Sequence, residues 1–196
     1  MKFNTTFIFS ALLITSLLSG CAAVAVGGAA TTGVAVVHDR RSAGTVIDDQ
    51  SIEFKALGFL YGVDKIRINT HINVTSYNGT LLLTGEAPTE ELRQDIASRA
   101  NRIPNVVKVH NEIILAAPSS VVSRTSDGYI TSKAKLALLN ISNIKGFDPT
   151  RVKVVTENGV VYLLGLLKQH EVSPVTETIR RVGGVQRVVK LVEIIG

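Results

Sequence analysis

Apolar positions along this chain fall into two copies of one pattern. In the stretch from Ile72 to Gly85, β-rich runs flank the pair Asn78-Gly79, and 80 positions later the stretch from Val152 to Gly165 does the same around Asn158-Gly159. Asn-Gly between such runs favours positive φ at both residues, so each copy predicts an antiparallel hairpin closed by a type I′ turn. Before the first hairpin, Ile52, Ala56, Phe59, Leu60 and Val63 line one helical face. At an offset of 78 residues the same face reads Ile130, Ala134, Ala137, Leu138 and Ile141. After the hairpins, Leu92, Ile96, Ala100 and Ile103 form a second stripe, echoed by Val175, Ile179 and Val182, with Ser173-Pro174 as the expected cap and first-turn proline. The runs from Val106 to Leu115 and from Val185 to Ile195 close the copies as strands.

The order helix, strand, strand, helix, strand therefore occurs twice, over residues 48–115 and 127–196, with the Ser-rich stretch 116–126 as linker. The expected fold class is α+β: two tandem αββαβ domains, each a three-stranded mixed sheet with two helices on one face. Units of this size sit near the lower limit for a domain without staples, so contact between the copies would add stability.

The N-terminus has a different character. Lys2, an apolar core from Phe7 to Leu18 and small residues after it have the three parts of a secretory signal, too short and too interrupted by Ser and Thr to span a bilayer. It ends in Leu18-Ser19-Gly20-Cys21, which resembles the bacterial lipobox. That likeness implies cleavage after residue 20 and acylation of Cys21, with several acyl chains giving stable anchoring. Ala22 is not the Asp that resembles an inner-membrane retention signal, so the expected address is the outer membrane, periplasmic face. Residues 21–47, rich in Ala, Val, Gly and Thr and then polar from His38, are expected to form a lipidated tether.

Composition narrows the function. Cys21 is the only cysteine, so an intramolecular disulfide is excluded and an aliphatic core must carry stability. Residues 48–115 hold 7 basic and 9 acidic side chains, residues 127–196 hold 10 and 6, so positive charge gathers in the second unit. In the periplasm such a unit meets anionic head groups and no nucleic acid. His38, His71, His110 and His170 are scattered along the chain without metal-ligand spacing. No nucleophile elbow, phosphate loop or zinc-protease motif occurs, so no catalytic residue, metal, cofactor or small-molecule substrate is expected. The two first helices differ on one flank. Tyr129, Ser132, Lys133 and Leu136 stand where the first copy has Ser51, Phe54, Lys55 and Gly58. Aromatic and aliphatic groups around a lysine suit shallow insertion into an anionic surface, and equally suit packing on the first domain.

The αββαβ pattern with Asn-Gly hairpins, Gly184-Val185 and Asn105-Val106 before the last strands, and Gly85 or Gly165 after the second resembles the BON domain. The pair behind a lipobox, preceded by Asp39-Arg40-Arg41-Ser42-Ala43-Gly44-Thr45, is similar to the dual-BON outer-membrane lipoproteins of the DolP type. The resemblance implies a non-enzymatic periplasmic lipoprotein that binds anionic phospholipid through the second domain, leaving Tyr129, Ser132, Lys133 and Leu136 as the phospholipid-binding residues. It also implies a role in outer-membrane integrity and in envelope processes tied to division. Those proteins tend to carry Trp where this chain has Tyr129. The alternative reading is an adaptor that recruits an envelope or division protein.

Overall fold

The computed structural model describes residues 39–142 and 144–196; the signal segment, Cys21 and the tether to residue 38 lie outside them. The first half contains α1 (Ala43–Tyr61), α2 (Asp64–Asn69), β1 (His71–Tyr77), β2 (Thr80–Ala87), α3 (Glu90–Ala100), β3 (Lys108–Asn111) and β4 (Ile114–Leu115). The second contains α4 (Val121–Leu139), a 3₁₀ turn (Pro149–Arg151), β5 (Val152–Glu157), β6 (Val160–Lys168), α5 (Gln169–Arg180) and β7 (Arg187–Ile195). In each sheet the hairpin is antiparallel and the last strand runs parallel to the second: β2 pairs with β3 and β4, β6 with β7. The mixed α+β architecture is the expected one, but the closing run of the first domain is broken into β3 and β4, which makes that sheet four-stranded, and α2 is a helix beyond the two expected there.

Both hairpin turns have the expected geometry, with φ of 52° and 73° at Asn78 and Gly79, and 49° and 73° at Asn158 and Gly159. Helices pack on one face of each sheet. Ile52, Ala56 and Leu60 of α1 and Leu92, Ile96 and Ala100 of α3 meet Ile72, Leu81 and Leu83. In the second domain Ile130, Ala134 and Leu138 of α4 and Val175 and Ile179 of α5 meet Val154, Val161 and Leu163.

Several boundaries differ from the sequence reading. Helix α1 begins at Ala43, inside the stretch expected as tether, because the Ser42 hydroxyl accepts the Thr45 N–H (3.1 Å). Helix α4 begins at Val121, inside the expected linker, because Ser120 caps Ser123 in the same way (3.3 Å), at the same 78-residue offset. Ser173-Pro174 does not start α5. Glu171 does, accepting the Lys168 N–H (2.8 Å), and Pro174 lies within the helix. Phe59, expected in the core stripe, is exposed, and the short helix α2 buries Ile66 instead.

The other faces of the sheets are not left to water. Tyr77 and Leu82 from the first sheet and Tyr162 and Leu164 from the second form one buried cluster, joined by Val155, Leu166, Val189 and Leu191. The sheets therefore stack face to face with helices outside. Polar bonds run across the seam, and each hairpin asparagine takes part. Asn78 Nδ2 donates to Glu193 (2.8 Å) and Asn158 Nδ2 to Glu86 (2.6 Å). Asn73 Nδ2 reaches Glu157 (2.6 Å), and Lys153 Nζ reaches Glu53 (2.9 Å).

The arginines ahead of α1 also clasp both domains. Arg40 makes a bidentate pair with buried Glu171 (2.6 and 2.8 Å) and donates to the Leu166 carbonyl (2.7 Å). Arg41 bonds Asp49 (2.7 Å) and lies over the Tyr77 ring, 3.8 Å from its centre. Arg40 holds the Glu171 carboxyl below the usual carboxylate range.

Gly85 faces Ile72 across the first hairpin at φ 113°, and a Cβ there would lie 1.9 Å from the His71 carbonyl oxygen. Gly85→Ala is expected to cost about 2 kcal/mol through strain in both strands, read as a lower urea midpoint with the slope unchanged.

Candidate functional site

Position on α4 follows from how that helix is held. The Asp127 carboxylate accepts the Asn158 and Gly159 N–H groups (2.9 Å each), so the second turn of the helix grips the hairpin turn. Asp49 grips the first turn equivalently, taking the Asn78 and Gly79 N–H groups (2.7 and 2.9 Å) and the Ser76 hydroxyl (2.6 Å). Both are buried acids that the helical stripes did not reveal; the visible signal was the shared spacing Asp49 to Ile52 and Asp127 to Ile130. Asp127→Asn, which removes charge and one acceptor oxygen, is expected to cost about 1–2 kcal/mol, measured by denaturant unfolding.

With Ile130, Ala134 and Leu138 turned to the core, the flank beside them faces outward. Tyr129 is 66% exposed and Leu136 61%, so neither packs on the first domain. Lys133 extends over the Tyr129 ring, 4.5 Å from its centre, and donates to the Gly183 carbonyl. The lysine thus orients the ring and ties α4 to the turn before β7, whose flanking Arg180 and Arg181 are exposed. Ser132 bonds the Gly128 carbonyl of its own helix (3.0 Å). The structure brings all four expected residues to one surface and adds Val122, 79% exposed and seven residues before Tyr129, which the sequence reading placed in a linker. Val122, Tyr129 and Leu136 form one apolar row along α4.

Surplus apolar surface is not confined to the second domain. On α1, Phe54 is 76% and Ile47 66% exposed. Among the described residues no helix is long and apolar enough to cross a membrane.

A second group of polar side chains lies in the seam. The register of β1 and β2 sets His71 opposite Glu86, and Glu157 arrives from β5. Burial raises the Glu86 carboxyl, but bonds from Asn158 and Ser119 more than offset it and hold it below its ordinary range. Burial keeps Glu157 above that range; the bond from Asn73 opposes the shift and the neighbouring Glu86 adds to it.

The family model of the BON domain matches residues 48–117 and 126–196. The chain belongs to the BON-domain family. It is 31% identical over 177 residues to the outer membrane lipoprotein DolP of Haemophilus influenzae, covering 90% of each chain. To the 21 kDa hemolysin of Actinobacillus pleuropneumoniae it is 36% identical, over 79% of this chain and 78% of that one. To the osmotically-inducible protein Y of Escherichia coli it is 28% identical, over 96% and 94%. Two BON domains and the length of the DolP match make this a dual-BON protein of the DolP type, within an outer-membrane lipoprotein family of the cell envelope. In BON terms α4 is the first helix of the second domain, and the seam joins the sheets of the two BON units.

Proposed function

We propose that this protein is a non-enzymatic lipoprotein, held to the periplasmic face of the outer membrane by acylated Cys21, whose second BON domain binds anionic phospholipid through α4. The exposed row Val122, Tyr129 and Leu136 carries the reading, because these side chains contribute little to the core and stand on the more basic domain. Exposed Arg181, two residues before the Gly183 carbonyl that Lys133 bonds, adds positive charge near that turn. The role that fits is support of outer-membrane integrity, including at division sites.

The test uses the chain without residues 1–20 and with Cys21→Ser, so that no acyl chain contributes. It is expected to sediment with vesicles of anionic lipid, to ignore zwitterionic vesicles, and to release as salt rises. Sedimentation with neither vesicle type would favour the alternative, an adaptor that recruits an envelope or division protein, for which the exposed Ile47 and Phe54 of α1 offer a further surface. Anchoring has its own check. In cells, a labelled fatty acid is expected to mark the wild type and not Cys21→Ser, because a hydroxyl does not replace the acyl-accepting thiol; equal labelling would contradict the lipobox.

A further inference from the structure

We propose that His71, Glu86 and Glu157 form a binding site for a divalent transition-metal ion of the zinc class, joining the two BON domains. Each residue offers one ligand atom, and these atoms lie within 4.8 Å of one another. His71 Nδ1 and Glu86 Oε2 are 3.3 Å apart. Two ligands at zinc bond lengths of about 2.0–2.1 Å and a tetrahedral angle stand about 3.3 Å apart, so this pair is already spaced for one ion. Glu157 offers the third ligand atom, within the same 4.8 Å.

Charge argues in the same direction. Glu86 is 1% and Glu157 5% exposed, and both are held by neutral donors. Glu157 takes Asn73 Nδ2 (2.6 Å) and the Thr84 hydroxyl (3.2 Å). Glu86 takes Asn158 Nδ2 (2.6 Å) and the Ser119 N–H (3.1 Å), with His71 beside it. Two buried carboxylates this close repel each other, and a divalent cation between them would relieve that repulsion. Arg124, on the wall of the adjoining cleft, is bonded to the Ser119 carbonyl (3.0 Å).

Access and a further ligand are available. A cleft of about 430 Å³ between the domains has His71 and Glu157 in its wall and opens to solvent, which leaves room for a water to fill the fourth position. An imidazole nitrogen with two carboxylates suits zinc and its transition-metal neighbours; calcium and magnesium take all-oxygen sets. Because His71 and Glu86 belong to the first domain and Glu157 to the second, the ion would fasten the seam.

The test is calorimetric titration of the tag-free, chelator-stripped mature protein in detergent with zinc chloride, paired with thermal melts. One ion per chain is expected, with a melting temperature several degrees higher at zinc well above its Kd. His71→Gln and Glu157→Gln are each expected to weaken binding at least tenfold and to abolish the thermal shift, while His110→Gln, outside the cluster, leaves both unchanged. The amide introduced by Glu157→Gln retains an acceptor oxygen for Asn73, and His71 is partly exposed, so metal-free melts of both variants check that each still folds; if one does not, the other decides. Absence of heat and shift in the wild type would overturn the site. So would zinc uptake that survives both substitutions, or an equal response to magnesium.

Discussion

Glu171→Ala is expected to lower stability by about 3–5 kcal/mol, the range for breaking a buried ion pair from one side. The carboxylate serves two structures at once. It accepts the Lys168 N–H that opens α5, and it holds the Arg40 guanidinium from the segment ahead of α1. Removing it leaves Arg40, whose side chain is only 15% exposed, with the Leu166 carbonyl as its remaining bonded partner of the three contacts. The melting temperature is expected to fall by roughly 10 °C, at about 2–4 °C per kcal/mol for a chain of this size. Glu171→Gln, which keeps an acceptor for the cap and loses the charge, should fall between. Since Arg40 holds the Glu171 carboxyl below its unfolded value, its contribution is complete above the ordinary carboxylate range. That contribution disappears as pH drops through the lowered value, and the variant is expected to lack that part of the acid transition.

Tyr129→Glu is expected to reduce binding to anionic vesicles by an order of magnitude or more while leaving the melting temperature within about two degrees. The ring lies outside the core cluster, so the domain loses little with it. At a membrane the change removes an aromatic group suited to the head-group level and adds a negative charge beside Lys133, four residues on. A basic group near an anionic surface contributes roughly 1 kcal/mol, and 1.4 kcal/mol is tenfold in affinity, so losing the ring and cancelling one charge together reach that size. Tyr129→Phe keeps the ring under Lys133 and should bind nearly as the wild type does. A Tyr129→Glu protein that melts normally and binds as tightly as wild type would remove this face from consideration.

The hairpins were legible because Asn-Gly restricts φ locally, whatever surrounds it. The core stripes of α1 and α4 were legible too, because burial imposes helical periodicity on Ile52, Ala56 and Leu60 and on Ile130, Ala134 and Leu138. Helix starts were not. They rest on single side-chain bonds from Ser42, Ser120 and Glu171, while composition had suggested tether, linker and a later proline-led turn. Misplacing the start of α4 hid Val122 and shortened the apolar row to Tyr129 and Leu136. The stacking of the sheets left a trace in the unbroken run Leu81-Leu82-Leu83 and in Val160 to Leu164, since a strand covered on both faces has no need to alternate. The seam cluster left none: His71 and Glu86 meet through strand register, and Glu157 comes from the other repeat.

Among the described residues two helices expose large aromatic side chains, α4 with Tyr129 and α1 with Phe54 and Phe59, and lipid is expected to choose α4. Hydrogen–deuterium exchange of the unlipidated chain, with and without anionic vesicles, distinguishes them most directly. Added protection is expected along Val121–Leu139 and at the turn around Gly183, with Ala43–Tyr61 unchanged. Protection on Ala43–Tyr61 with none on Val121–Leu139 would contradict the account.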